Sequence, residues 1–384
     1  MSGLSPRNYI VSFGQDLSLF VAWSVIPVWA RVEAGATPRQ LGALPVAGGL
    51  AYVVTSFFAG RLSDRVSRTT LARVGLVMFG GFCFLAWQAT SVKWIYMVAP
   101  LGGMANALIW PGLQALVGDE SEPAELEKNL GKFSLSWSMG KTLGFFVCGL
   151  AWDRFHMDAL VACGALSIAL AAVLPSRAAG HRAVAAPLVE EHGPPAAVRA
   201  AYLRAAWIAN FAAYGLGATL NFLYEDLVIS LGRPPRDYSN VLAAVFLAQT
   251  AAFWIFGRWS GWRYRPGALL FWQAASAAAL VVIGMGVSTP IAIAAALAAG
   301  LGLGLSYSAS IYYSVHSDEA RGARAGIHEA VIGASNFVVP MAGGLIQQRT
   351  GWTPSGYVLA AAVVGGCVVL QAGMLLKRRP APRA

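Results

Sequence analysis

Long apolar stretches alternate with short polar turns along almost the whole chain. Twelve such stretches are predicted, over 9–30, 39–60, 70–90, 94–117, 131–152 and 157–175, then 205–228, 238–258, 267–287, 290–315, 325–347 and 355–376. Most hold about the 20 residues that a helix needs to cross the hydrocarbon core of a bilayer. Backbone groups find no partner in lipid, so an apolar span of this length is expected to be helical. Only 176–200 breaks the rhythm. It is rich in Pro, Ala and charge, includes Glu190, Glu191, Pro194 and Pro195, and reads as a flexible linker. The predicted architecture is an all-α membrane protein: a six-helix bundle over 1–175, a linker over 176–200 and a second six-helix bundle over 201–384.

Composition agrees with this pattern. Of the 384 residues, 57% are hydrophobic and 12% charged, against about 25% charged in ordinary soluble domains. A net charge of +10 would suit nucleic acid, but the bases lie in short turns between spans, so no nucleic-acid partner is expected. An even number of spans puts both termini on one side. Twenty of the 28 Lys and Arg fall on that side, seven on the other, and Lys141 lies within a span. The positive-inside rule then predicts cytoplasmic termini. Arg outnumbers Lys, and Ala and Gly abound, which fits a GC-rich bacterial genome and a multi-pass protein of the cell (inner) membrane. The first span carries Asp16 and follows little basic sequence, so an uncleaved span is expected rather than a signal peptide. Cys83, Cys148, Cys163 and Cys367 lie inside apolar stretches without metal-ligand spacing, and no metal or cofactor is expected.

The turn after the second span reads Gly60-Arg-Leu-Ser-Asp64-Arg65-Val-Ser-Arg68-Thr. The two halves also repeat. Gly131 to Gly149-Leu150 matches Gly326 to Gly344-Leu345 at a constant offset of 195, and Gly257-Arg258-Trp259-Ser260 echoes the turn at Gly60. The turn resembles the loop between helices two and three of the major facilitator superfamily, through Gly60, Leu62, Ser63, Asp64, Arg65 and Arg68. Ser67 stands where that pattern usually has Gly. The resemblance implies two pseudo-symmetric six-helix bundles and a gating role for Gly60, Asp64, Arg65 and Arg68. In particular, Asp64 would face the start of helix eleven near Ala325 to His328. Pro340 to Gly344 is similar to the end of the family's antiporter motif, but it lies on span eleven. Span five has Gly140, Gly144 and Gly149 without the Pro, and Ala99 to Gly103 lacks the family's proton-transfer Arg.

Polar residues inside spans carry the functional signal, because lipid makes them costly. Four stripes recur at helical spacing: Ser12, Asp16, Trp23 and Pro27; Gly103, Asn106, Trp110 and Gln114; Asn210, Tyr214, Gly217, Asn221 and Tyr224-Glu225; and Ser306, Ser310, Tyr313 and Ser317. They fall on spans one, four, seven and ten, which line the central cavity in the resembled family. Helix-to-helix hydrogen bonding is the plainer reading of any one of them. As candidate substrate contacts they give Asp16, Trp23, Asn106, Trp110, Gln114, Asn210, Tyr214, Asn221 and Ser310, with Lys141 from span five. Asp16 and Glu329 are candidate proton-coupling carboxylates. Asp16 and Lys141 lie at similar depth and are expected to pair, either as a fixed bridge or as a pair that substrate opens. Glu225 and Asp226 are expected at the outer interface.

No Walker loop, His-Glu-x-x-His or Gly-x-Ser-x-Gly occurs, so an enzyme is not expected. The expected function is secondary active transport of a small organic solute by alternating access, with protons as candidate coupling ion and a monomer as the working unit. Lys141 points to an organic anion or a polyhydroxylated molecule, and the aromatics to amphipathic compounds. The alternative class is a non-transporting membrane sensor or scaffold that keeps the same fold.

Overall fold

The computed structural model describes residues 6–62, 66–121, 126–174, 194–315 and 321–376. Among them are twelve α-helices: α1 (Pro6–Val32), α2 (Pro38–Leu62), α3 (Arg68–Trp87), α4 (Val92–Glu120), α5 (Leu126–Phe155), α6 (Ala159–Val173), α7 (Ala196–Ser230), α8 (Pro235–Arg258), α9 (Pro266–Gly284), α10 (Thr289–Val315), α11 (Arg321–Thr350) and α12 (Ser355–Leu375). Every predicted span is a helix, and most overrun their predicted ends by a few residues. α7 overruns most, because it starts at Ala196 inside the expected linker. Nine stretches of the described residues are long and apolar enough to cross a membrane, with α5 and α6 taken as one. The chain is a multi-pass membrane protein. α7 is not among the nine, and its sequence explains why: Asn210, Asn221, Glu225 and Asp226 all interrupt it.

Local chemistry sets the helix boundaries. Pro opens α2, α8 and α9, where its missing N–H costs nothing. Ser67 caps α3, its Oγ accepting from the Thr70 amide at 3.1 Å. That explains the departure from the family pattern at this position: a hydroxyl stands where a Gly would leave the amide bare. Arg73 of α3 donates to the carbonyls of Ala171 (3.1 Å) and Leu174 (2.5 Å). A cation at the C-terminus of α6 satisfies orphan carbonyls and suits the helix dipole.

The six helices of each half pack in the same way. In the first half α1 lies on α5 and α6, α2 on α4, and α3 on α4 and α6. In the second, α7 lies on α11 and α12, α8 on α10, and α9 on α10 and α12. The halves meet where α2 packs on α11 and α5 on α8. Small residues permit this, as they do generally between membrane helices. A Cβ on Gly344 would overlap the Pro38 carbonyl, and one on Gly42 would overlap the Pro340 carbonyl. At the matching place, a Cβ on Gly149 would overlap Ser239 Oγ. Gly149 and Gly344 are the residues related by the 195 offset, so one sequence repeat closes both seams.

We call the face where α1 begins and α12 ends the terminal face. Gly42, Gly149 and Gly344 all lie near the opposite face. Arg31 at the end of α1 and Asp226 near the end of α7 form an ion pair there. The opposite face is therefore shut by backbone contact and by charge. Of the gating residues, Gly60 lies in the last turn of α2 and Arg68 opens α3, while Asp64 and Arg65 fall outside the described residues. So does the expected contact of Asp64 with α11.

Candidate functional site: a central cavity between the bundles

Eight helices surround a cavity of about 260 Å³ on the axis between the halves. α1 contributes Asp16, Phe20 and Trp23, and α4 contributes Gly103, Asn106, Trp110 and Gln114. α7 adds Tyr214, Gly217 and Asn221, and α10 adds Leu303 and Tyr307. The predicted stripe on α4 thus faces the space complete. Eight of the ten candidate substrate contacts line it: Asp16, Trp23, Asn106, Trp110, Gln114, Lys141, Tyr214 and Asn221. So does Glu329.

Asn210 and Ser310 do not. Both are fully buried beside His328 of α11, with Ser310 Oγ 2.7 Å and Asn210 Nδ2 3.4 Å from its Nδ1. They tie α7, α10 and α11 together inside the second bundle. The α10 stripe is corrected for Ser306, Ser310 and Tyr313, while Ser317 falls outside the described residues. These three are buried and do not line the cavity, whose α10 wall is the Leu303–Tyr307 edge. Ser310 bonds His328 within the bundle, whereas Tyr307, packed against Trp137 and Tyr214, lines the cavity. On α1, Ser12 turns to Ser136 of α5 at 3.1 Å.

Sequence reasoning missed α2 and most of α11 as cavity walls. Pro45, Gly48, Gly49 and Tyr52 line the space from α2, and Ile332, Gly333 and Asn336 from α11. The signal was present on α11: Glu329, Gly333 and Asn336 share one face at spacings of four and three. Tyr52 donates to Glu329 Oε2 at 2.9 Å, and Gln114 to its Oε1 at 3.2 Å. Each oxygen of this carboxylate thus has a donor from the opposite half.

The expected Asp16–Lys141 ion pair is absent among the described residues, although both groups line the cavity. The Lys141 ammonium lies instead over aromatic faces. Nζ is 3.9 Å from the centroid of Phe246, 4.4 Å from Phe20 and 5.6 Å from Tyr214. Phe145 stacks on Phe246 at 4.6 Å with the rings 7° from parallel, fixing that wall. The negative faces of the rings attract the cation, and three different helices supply them.

Asn221 Nδ2 reaches the Trp23 carbonyl at 3.4 Å, while its own carbonyl and Oδ1 accept from Tyr238 at 2.9 and 3.1 Å. Beyond it, towards the opposite face, Glu225 is fully buried with no hydrogen-bond donor on either oxygen. This corrects the interfacial position expected for it. Closure of the two halves covers the end of α7, which a single-helix reading leaves in water.

A profile of the Major Facilitator Superfamily matches residues 9–206. The quinolone resistance protein NorA of Staphylococcus aureus is 28% identical over 144 residues, covering 38% of this chain and 37% of that protein. Multidrug resistance protein 2 of Bacillus subtilis is 30% identical over 139 residues, covering 36% and 33%. The matches thus span little more than a third of those relatives' length. Two solved structures share the fold across nearly the whole chain. One is a bacterial homologue of the lysosomal transporter Spinster, described as inward-facing and occupied (TM-score 0.70, 16% identity, 99% of this chain and 100% of that one). The other is the nucleoside transporter NupG (TM-score 0.72, 13% identity, 97% and 99%). The profile covers more than half of the sequence, and the chain belongs to the major facilitator superfamily of membrane transporters, which are not enzymes.

Proposed function

We propose that the chain is a secondary active transporter that moves a small organic solute across the cytoplasmic membrane by alternating access. One observation carries this reading. A cavity walled by both halves lies on their shared axis, and one face is sealed by contacts that a rocking motion could part. Transporters of this architecture bind solute near the midplane, between repeats that rock about it. The solute would enter from the terminal face in the state described. With the bases weighted towards that face, both termini would be cytoplasmic.

Protons are the candidate driving ion, with Asp16 and Glu329 as the carboxylates that face the solute space. The bundles meet within one chain, so a monomer suffices. The relatives' names make a quinolone the first solute to try. The test is uptake into proteoliposomes under an imposed pH gradient, with a panel of labelled drugs and metabolites. Accumulation that collapses with the gradient supports the reading. A folded protein that moves no member of a broad panel would instead be a sensor or scaffold.

A further inference from the structure

Three aromatic faces around one point form a site for an ammonium group. Here that site is already filled, because Phe20, Phe246 and Tyr214 hold the ammonium of Lys141. No carboxylate of the described residues lies within ion-pair distance of it. Asp16 lines the same cavity without pairing with it. Glu329 is engaged by Tyr52 and Gln114. The cavity thus offers a cation and a carboxylate, Lys141 and Asp16, that face one space without ion-pair contact between them. Between and around them stand flat rings: Trp23, Trp110, Trp137 and Tyr307.

From this geometry we infer that the cavity selects aromatic zwitterions and that Lys141 is the residue that turns lipophilic cations away. The solute's carboxylate would meet Lys141, its protonated amine would meet Asp16, and its ring would lie among the indoles. A lipophilic cation finds its natural seat taken by a charge of the same sign. This inference rests on reading the cavity as the transport site and adds the class of solute to it.

The test uses three probes on one ring system: naphthoate, naphthylmethylammonium and an aminomethyl-naphthoate that carries both groups. Their dissociation constants are measured on the full chain in lipid nanodiscs. The zwitterion is expected to bind roughly tenfold more tightly than the cation, the scale that one desolvated cation–π site supplies. Lys141→Met should reverse that order by opening the box to the cation, while Lys141→Arg should keep it. If Lys141→Met does not fold, Phe246→Leu serves instead. It removes one wall, frees Lys141 to swing towards Asp16, and should shrink the preference at least threefold.

A wild-type protein that binds the cation as tightly as the zwitterion overturns the inference. So does an order unchanged in Lys141→Met, or a preference unchanged in Phe246→Leu. Labelling of Asn336→Cys from each side of the membrane is run on the same proteins reconstituted in one orientation in vesicles, both as they stand and with Asp226→Asn added to part the Arg31–Asp226 contact on the opposite face. If none of the probes binds while that cysteine still becomes reactive from both sides in turn, the solute class is wrong and transport stands. A cysteine reactive from one side under every condition removes the transport reading itself.

Discussion

Removing the ion pair between Arg31 and Asp226 should release the opposite face. The Asp226 side chain is only 6% exposed, whereas the Arg31 side chain is 31% exposed. The pair therefore lies between two regimes. Exposed pairs contribute about 0.2–1 kcal/mol, and breaking a buried one costs about 3–5 kcal/mol. Arg31 can turn to water when its partner is lost, so Asp226→Asn should cost the closed state about 2 kcal/mol. That is about a thirtyfold shift in the equilibrium. An open fraction of about 1% would rise to about a quarter. The assay is electron–electron distance measurement between spin labels at Arg39 and Leu231, both exposed near that face. Cys367, the half-buried thiol, is replaced by Ala first. A second, longer distance should appear in Asp226→Asn and in Arg31→Gln, and the double change should open the face no further than either alone. A distance distribution that is the same in all four proteins would refute the assignment of this pair as a latch.

Gly344→Val should hold the same face open, because its Cβ would collide with the Pro38 carbonyl of α2; the same labels should report the long distance in most molecules. Tyr52→Phe removes one donor from Glu329 and a link between the halves. It should cost about 2 kcal/mol and speed labelling of Asn336→Cys from the terminal face. Ser310→Ala should lower stability by about 1 kcal/mol in thermal unfolding without changing solute affinity, since Ser310 bonds His328 away from the cavity. Cysteines at Asn106, Trp110, Tyr214 and Asn221 should react with a small hydrophilic thiol reagent and be protected by solute, whereas one at Asn210 should stay inert.

The twelve helices were legible because lipid leaves the chain few choices. A run of about 20 apolar residues with no internal water must be helical, and the 195 offset announced the two halves. The α4 stripe was legible for the same reason, since Asn106 and Gln114 had to face something polar. The α10 stripe misled because a hydroxyl is equally content inside a bundle. Ser310 serves His328, and nothing along α10 alone reveals a histidine supplied by α11. Lys141 was legible as an embedded charge and Asp16 as the carboxylate that shares its cavity. Their lack of direct contact was not legible, because the rings that hold the ammonium come from α1, α7 and α8 at once. Tyr52 was hidden by belonging to a helix that looked purely structural until α11 packed against it.

Alternating access to one central cavity is tested most directly with a single cysteine at Asn336, which lines that cavity midway along α11. The protein is reconstituted in one orientation and exposed to an impermeant thiol reagent from either side. The account predicts reaction from the terminal face in the wild-type background, and from the opposite face as well once Asp226→Asn has released the latch. Reaction from the same single face in both backgrounds, or from neither, would contradict it.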